Sequence, residues 1–178
     1  MSDYCGTRPI DRIWQKRRKG ERMEKFVNAY EKSKFICNKL TIGDRAYLAG
    51  IIDGEGCISC FSYSGKHRAI VKRIDIANTN HILMDWIILK IPFFSVRIKN
   101  SSKYHINAKP CYHAVLDRTT CILPLLESIY PFMVLKRTQA EMMMALCRRR
   151  WNGNHYLTQK DFDMADSFRN LNKKGLKP

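Results

Sequence analysis

Leu48-Ala49-Gly50-Ile51-Ile52-Asp53-Gly54-Glu55-Gly56 is the stretch on which the reading of this chain turns. Its first half is apolar, and a helix start lies just upstream: in Thr41-Ile42-Gly43-Asp44 an acid follows Thr by three residues, the spacing of a capping box. A helix is therefore expected from there to about Asp53, with Gly54 and Gly56 ending it. On it Ala46, Gly50 and Asp53 share one side, and Ala49 and Gly50 are small enough to let a second helix backbone come close. Asp53 and Glu55, however, sit at the negative end of the helix macrodipole, which costs stability unless a cation compensates. A divalent cation would do so, because carboxylate and carbonyl oxygens suit hard ions such as magnesium and the glycines allow a turn that exposes them. One chain offers too few such ligands for a two-metal phosphodiester site. Two chains meeting along this helix would bring two copies of Glu55 to a twofold axis.

At 178 residues the chain suits one domain with a real core. Its 32 Lys and Arg against 16 Asp and Glu give a formal charge of +16, which favours a polyanionic partner. Composition alone leaves DNA, RNA, a ribosome and an anionic membrane surface open. No apolar run of about 18 residues is available to span a bilayer, and Met1-Ser2-Asp3-Tyr4-Cys5 lacks a signal-peptide core. The expectation is a soluble intracellular protein without a membrane partner. Acidic Asp3, Asp11 and Glu21 argue against a transit peptide. The 7 cysteines, odd in number and scattered, fit a reducing compartment rather than a disulfide framework. Cys57 and Cys60 form a lone CxxC without a second pair, which reads as small residues on a strand rather than a zinc site.

Residues 1–40 read as a basic N-terminal extension outside the core, and residues 41–178 as the domain proper. Arg12 to Lys34 is rich in charge, with Ile13, Phe26, Val27 and Tyr30 as sparse apolar positions, so it reads as a surface helix or a basic arm. After the motif, Cys57 to Tyr63 alternates like a strand, Ser64-Gly65-Lys66 supplies a turn, and Val71 to Ala77 completes a hairpin. Asn78-Thr79-Asn80 can cap a helix over His81 to Lys90, closed by Pro92. Phe94 to Lys99 and Cys111 to Asp117 read as two more strands. Helices follow near Thr120 to Ile129, Arg137 to Arg150 and Gln159 to Leu171. The order is helix, two strands, helix, two strands, then helices, with no second copy of the motif.

The nine-residue motif resembles that of the LAGLIDADG homing endonucleases, in their single-motif, homodimeric branch. Further stretches agree with it. Ile74-Asp75-Ile76-Ala77-Asn78-Thr79-Asn80 is similar to the family's strand-to-helix segment, and Pro131-Phe132-Met133-Val134-Leu135-Lys136-Arg137-Thr138-Gln139-Ala140 resembles its Pro-Phe, Lys and Gln-Ala block. Leu157-Thr158 and Leu171-Asn172-Lys173-Lys174-Gly175 resemble its terminal helix and tail. The resemblance implies an α+β fold of order αββαββα, a saddle-shaped antiparallel sheet lying in the DNA major groove, with additional C-terminal helices here. It also implies a homodimer that hydrolyses both strands of a DNA target with Mg2+ or Mn2+ and leaves 3′ overhangs.

Carried over by position, Glu55 is the acidic metal ligand, joined by the carbonyl of Gly54, while Asp53 shapes the helix end. Asn78 falls where the family orders solvent near the scissile phosphate, and equally reads as a plain helix cap. Lys136 falls on the basic residue that neutralises transition-state charge or polarises the attacking water. Ala46, Ala49 and Gly50 fall on the dimer face. Strand alternation, with Ile58, Ile74 and Ile76 inward, turns Ser59, Phe61, Tyr63, Arg73 and Asp75 toward DNA, followed by Arg97, Lys99, Cys111 and His113. Arg148-Arg149-Arg150 and the tail Lys173-Lys174-Gly175-Leu176-Lys177 are expected to touch the DNA backbone or stay solvated. The same fold also serves maturases, which bind intron RNA and assist splicing, alone or beside cleavage. A non-cleaving DNA-binding regulator would be expected to have lost the acid. An intein is disfavoured by length and by the absence of terminal splicing residues.

Overall fold

The structure, a computed structural model, describes residues 9–63, 69–99, 110–151 and 157–172. The chain runs α1 (Pro9–Asn38), α2 (Ile42–Gly54), β1 (Gly56–Tyr63), β2 (Ala69–Asn78), α3 (His81–Lys90), β3 (Ser95–Lys99), β4 (Cys111–Leu116), α4 (Thr119–Ile129), a 3-10 turn (Tyr130–Phe132), α5 (Arg137–Trp151) and α6 (Gln159–Leu171). From α2 to α4 the order is αββαββα, as the sequence led one to expect. The strands form one antiparallel sheet ordered β1-β2-β4-β3, so the two hairpins meet along β2 and β4. The turn Ser64-Gly65-Lys66, the loop at Asn152-Gly153-Asn154 and the tail beyond Asn172 lie outside the described residues.

Local chemistry accounts for where the helices begin. The Thr41 hydroxyl accepts from Asp44 N at 3.1 Å and the Asp44 carboxylate from Thr41 N at 3.1 Å, closing the capping box at the head of α2. Asp44 also pairs with Lys90 at the end of α3, 2.9 Å away; that bond, with those from Thr41, lowers the carboxyl's pKa. At α3 the cap is Asn80, whose Oδ1 accepts from Ile82 N at 2.9 Å. At α6 Thr158 and Asp161 form a second capping box, and Arg149 lies 2.8 Å from Asp161. Burial pushes the Asp161 carboxyl up, but bonds from Thr158 and the charges of Arg149 and Lys72 outweigh it and hold the pKa low.

The helices pack on one sheet face. Ile58, Cys60, Ile70, Ile74, Ile76, Ala114 and Leu116 alternate inward along the strands. They meet Leu48 and Ile52 of α2, Ile87 of α3, Leu125 of α4, Met143 of α5 and Phe168 of α6 in a single core. The opposite sheet face carries Phe61, Tyr63, Arg97 and Lys99 and stays open. Cys57 and Cys60 point to opposite faces, one exposed and one buried, so this CxxC does not converge on a metal. No helix among the described residues is long and apolar enough to cross a membrane.

Within residues 1–40, Pro9–Asn38 is one helix, and its last turns with Leu40 belong to the core. Tyr30 donates to Glu127 at 3.2 Å, Ser33 Oγ lies 3.2 Å from Cys121 Sγ, and Cys37 and Leu40 are buried against α4 and its neighbours. Burial pushes the Cys37 thiol up to about 12, and the neighbouring Cys121 adds to it. Tyr30, Ser33, Cys37 and Leu40 recur at helical spacing, but two are small and polar, so the stripe is faint among the charges.

Strand β1 starts directly beneath the last turn of α2. A Cβ placed at Gly56 would lie 2.7 Å from Ile52 Cα and 2.8 Å from its carbonyl oxygen, both backbone atoms that cannot step aside. Gly56→Ala is expected to cost about 2 kcal/mol. Urea unfolding checks this as a lowered midpoint at unchanged slope.

Candidate active site at the end of α2

Asp53 is buried, and its carboxylate accepts three successive backbone N–H groups: Val134 at 2.6 Å, Leu135 at 3.2 Å and Lys136 at 2.9 Å. In return the Lys136 ammonium donates to the Asp53 carbonyl. The segment between the 3-10 turn and α5 is thus gripped by the end of α2. This corrects one expectation. The electrostatic cost of Asp53 at the helix end is met by three N–H dipoles and a lysine, and needs no metal ion.

Glu55 differs from Asp53 in every respect. It is the C-cap of α2, its N–H bonds to Ile51 O at 2.8 Å, and its side chain is exposed. Asn78, the last residue of β2, donates its amide to Glu55 Oε2. The Asn78 Oδ1 accepts from Asn80 N at 2.8 Å, which orients that amide. Asn78 is therefore not the helix cap, a role taken by Asn80. Three segments distant in sequence bring Glu55, Asn78 and Lys136 to the end of α2.

What remains available there is the exposed Glu55 carboxylate and the helix-terminal backbone at Gly54, which are hard-oxygen donors. Among the described residues no group of three or more His, Cys, Asp or Glu could by itself hold a metal ion. These donors suit magnesium or manganese in kind but are few in number.

The flank of α2 leading to this point is bare. Ile42, Ala46, Gly50 and Gly54, four residues apart, are all exposed, and a Cβ at Gly50 or Gly54 would meet nothing within 4 Å. Ala49 does not share that face. It is wholly buried with Leu48 and Ile52, because one residue step turns it 100° from Gly50 into the core.

On the open sheet face Phe61 and Tyr63 are exposed, as are Arg97 and Lys99, while Arg73, Asp75, Cys111 and His113 are half-buried. Ser59 has the expected parity but is only 5% exposed, since it stands across from the much longer Arg73. Arg73 Nε is itself buried without a hydrogen-bond partner among the described residues. His113 Nδ1 lies 3.1 and 3.3 Å from the two Asp75 oxygens, a pairing that strand parity alone does not reveal. Arg148 and Arg149 are tied within the chain, to Glu127 and Asp161, instead of being left as free backbone contacts.

No family model and no curated protein matches the chain. Solved structures do. The homing endonuclease I-CvuI, in complex with the I-CreI target in the presence of Mg, superposes with a TM-score of 0.60 at 19% identity over 75% of this chain and 85% of that one. This chain has the fold of the LAGLIDADG homing endonucleases. The archaeal intron-encoded homing endonuclease I-Vdi141I, complexed with DNA, gives a TM-score of 0.60 at 17% identity over 75% of this chain and 86% of its own. The I-SmaMI LAGLIDADG homing endonuclease, bound to cleaved DNA, gives 0.58 at 16% identity over 77% of this chain but 46% of its own.

Within this LAGLIDADG fold the Asp53 clamp is open to test. Asp53→Ala strips three backbone donors of their acceptor and is expected to cost about 2–4 kcal/mol. Urea denaturation of the purified variant, compared with Glu55→Ala, checks it; the exposed Glu55 is expected to change stability by about 0.5 kcal/mol or less.

Proposed function

We propose that the chain is a site-specific, divalent-metal-dependent double-strand DNA endonuclease acting as a homodimer. One observation carries the reading: an exposed acid (Glu55), an amide that orients it (Asn78) and a lysine (Lys136) converge where a bare small-residue helix face ends. The +16 charge and the open sheet face with Arg97 and Lys99 suit a polyanionic duplex. I-CvuI, I-Vdi141I and I-SmaMI, which share the fold, are homing endonucleases seen with DNA.

The partner is a second copy. The fold unit fills most of I-CvuI but under half of I-SmaMI, and the 178 residues here hold one such unit with one copy of the motif. Packing Ala46 and Gly50 against their symmetry mates would bring the two Gly54-Glu55 ends together and double the oxygen donors. Glu55 and the Gly54 carbonyl would hold Mg2+ or Mn2+ there, which when bound would supply a water of lowered pKa and charge for the leaving 3′ oxygen, and staggered cuts by the two sites would leave 3′ overhangs. Asn78 holds Glu55 in its orientation. Lys136, set by the Asp53 clamp, offers positive charge beside the developing phosphorane.

The test uses plasmid carrying the intron-less insertion site of the host element. Wild type is expected to linearise it with magnesium and not with EDTA, and Glu55→Gln is expected to be slower by a factor of about 100 or more. Cleavage by Glu55→Gln at the wild-type rate contradicts the assignment. Tight binding of intron RNA without any cleavage would establish a maturase instead, and specific DNA binding without cleavage a regulator.

A further inference from the structure

Resting on the endonuclease reading, we infer that Asp75 and His113 form one base-reading unit in which His113 contacts the base and Asp75 is a positioning residue that never touches DNA. The two residues come from neighbouring strands, β2 and β4, on the open sheet face. His113 Nδ1 lies 3.1 Å from Asp75 Oδ1 and 3.3 Å from Oδ2, so both carboxylate oxygens converge on a single ring nitrogen. An ionised carboxylate can only accept, so Nδ1 must carry the hydrogen. That assigns the tautomer, and the neutral ring is left with a lone pair on Nε2. Nε2 has no partner among the described residues and is not among the buried unpaired atoms. The unit therefore spends the acidic residue internally and presents one acceptor outward.

The surroundings favour this division of labour. Arg97 of β3 stands directly across from His113 in the strand register, and Arg73 lies two residues from Asp75 on the same face. Both guanidiniums are donors only, so His113 Nε2 is the outward acceptor among them. Cys57 of β1 faces Asp75 in register, and Cys111 lies two residues from His113. Neither brings a positive charge. Asp75, with both oxygens engaged and about a quarter of its side chain exposed, has little left for a cytosine amino group. A lone-pair Nε2 accepts from adenine N6 or cytosine N4 in the major groove and is repelled by guanine O6 and N7.

The experiment is a base-by-base affinity profile on a randomised target library at fixed salt for wild type, His113→Ala, Asp75→Ala, the double variant His113→Ala/Asp75→Ala, Asp75→Asn and Asp75→Leu. Wild type is expected to prefer adenine or cytosine at one position by about tenfold. His113→Ala and Asp75→Ala are expected to erase that preference at the same position, and the double variant to lose no more than either single one. Asp75→Asn retains an acceptor for Nδ1–H and is expected to keep most of it, whereas Asp75→Leu, of similar size but without an acceptor, is expected to lose it, a difference that a merely packing role would not show. The 15N shifts of His113 in the free protein are expected to show Nδ1 protonated and Nε2 bare. Loss at different positions for the two alanine variants, or a guanine preference, or Nε2 protonated in the free neutral ring, overturns the inference. A wild-type protein without any preferred sequence overturns the endonuclease reading as well, and is thereby told apart from failure of the pair alone.

Discussion

The carboxylate of Asp53, holding three consecutive backbone N–H groups of residues 134–136, is the interaction on which the rest of the site depends. A buried acid with three charge-assisted bonds is strongly preferred over the same groups left unpaired. It fixes the end of α2 to the segment before α5, and it places the Lys136 ammonium on the Asp53 carbonyl, two residues from Glu55. The motif's two acids thus have separate tasks. Asp53 spends its charge inside the chain, and Glu55, the proposed metal ligand, keeps its own at the surface.

A second constraint is close backbone approach. Gly56 lets β1 start against Ile52, so the sheet hangs directly from the helix that carries the candidate site. The open sheet face, with its exposed arginine and lysine, is therefore rigidly related to Glu55. In the proposed dimer this couples recognition to cleavage: a duplex seated on the two sheets presents its backbone where the two helix ends meet.

Much of this was visible in the residues. The capping box at Thr41, the alternation in β1 and β2 and the apolar face of α3 are local signals, and each matches the observed element within two residues at either end. Glu55, Asn78 and Lys136 were singled out through a resemblance spread over the chain, and the structure brings them to the same helix end. What stayed hidden depends on contacts between distant segments. Ala49 and Gly50 look equivalent as small residues, but a 100° step buries one and bares the other. Ser59 has a DNA-facing parity, yet a long neighbour across the strand pair covers it. Ser33 and Cys37 carry too little apolar signal to reveal that α1 joins the core, and no period predicts that Asp75 and His113 pair across two strands.

On the proposed dimer reading, the bare flank of α2 and the few oxygen donors at its end belong to a site that one chain does not complete. The most direct measurement is sedimentation equilibrium of the protein on a short duplex carrying its cleavage site, in calcium so that the DNA stays intact. A half-site completed by its own copy requires two chains per duplex. A cleavage-competent complex with one chain per duplex would contradict it.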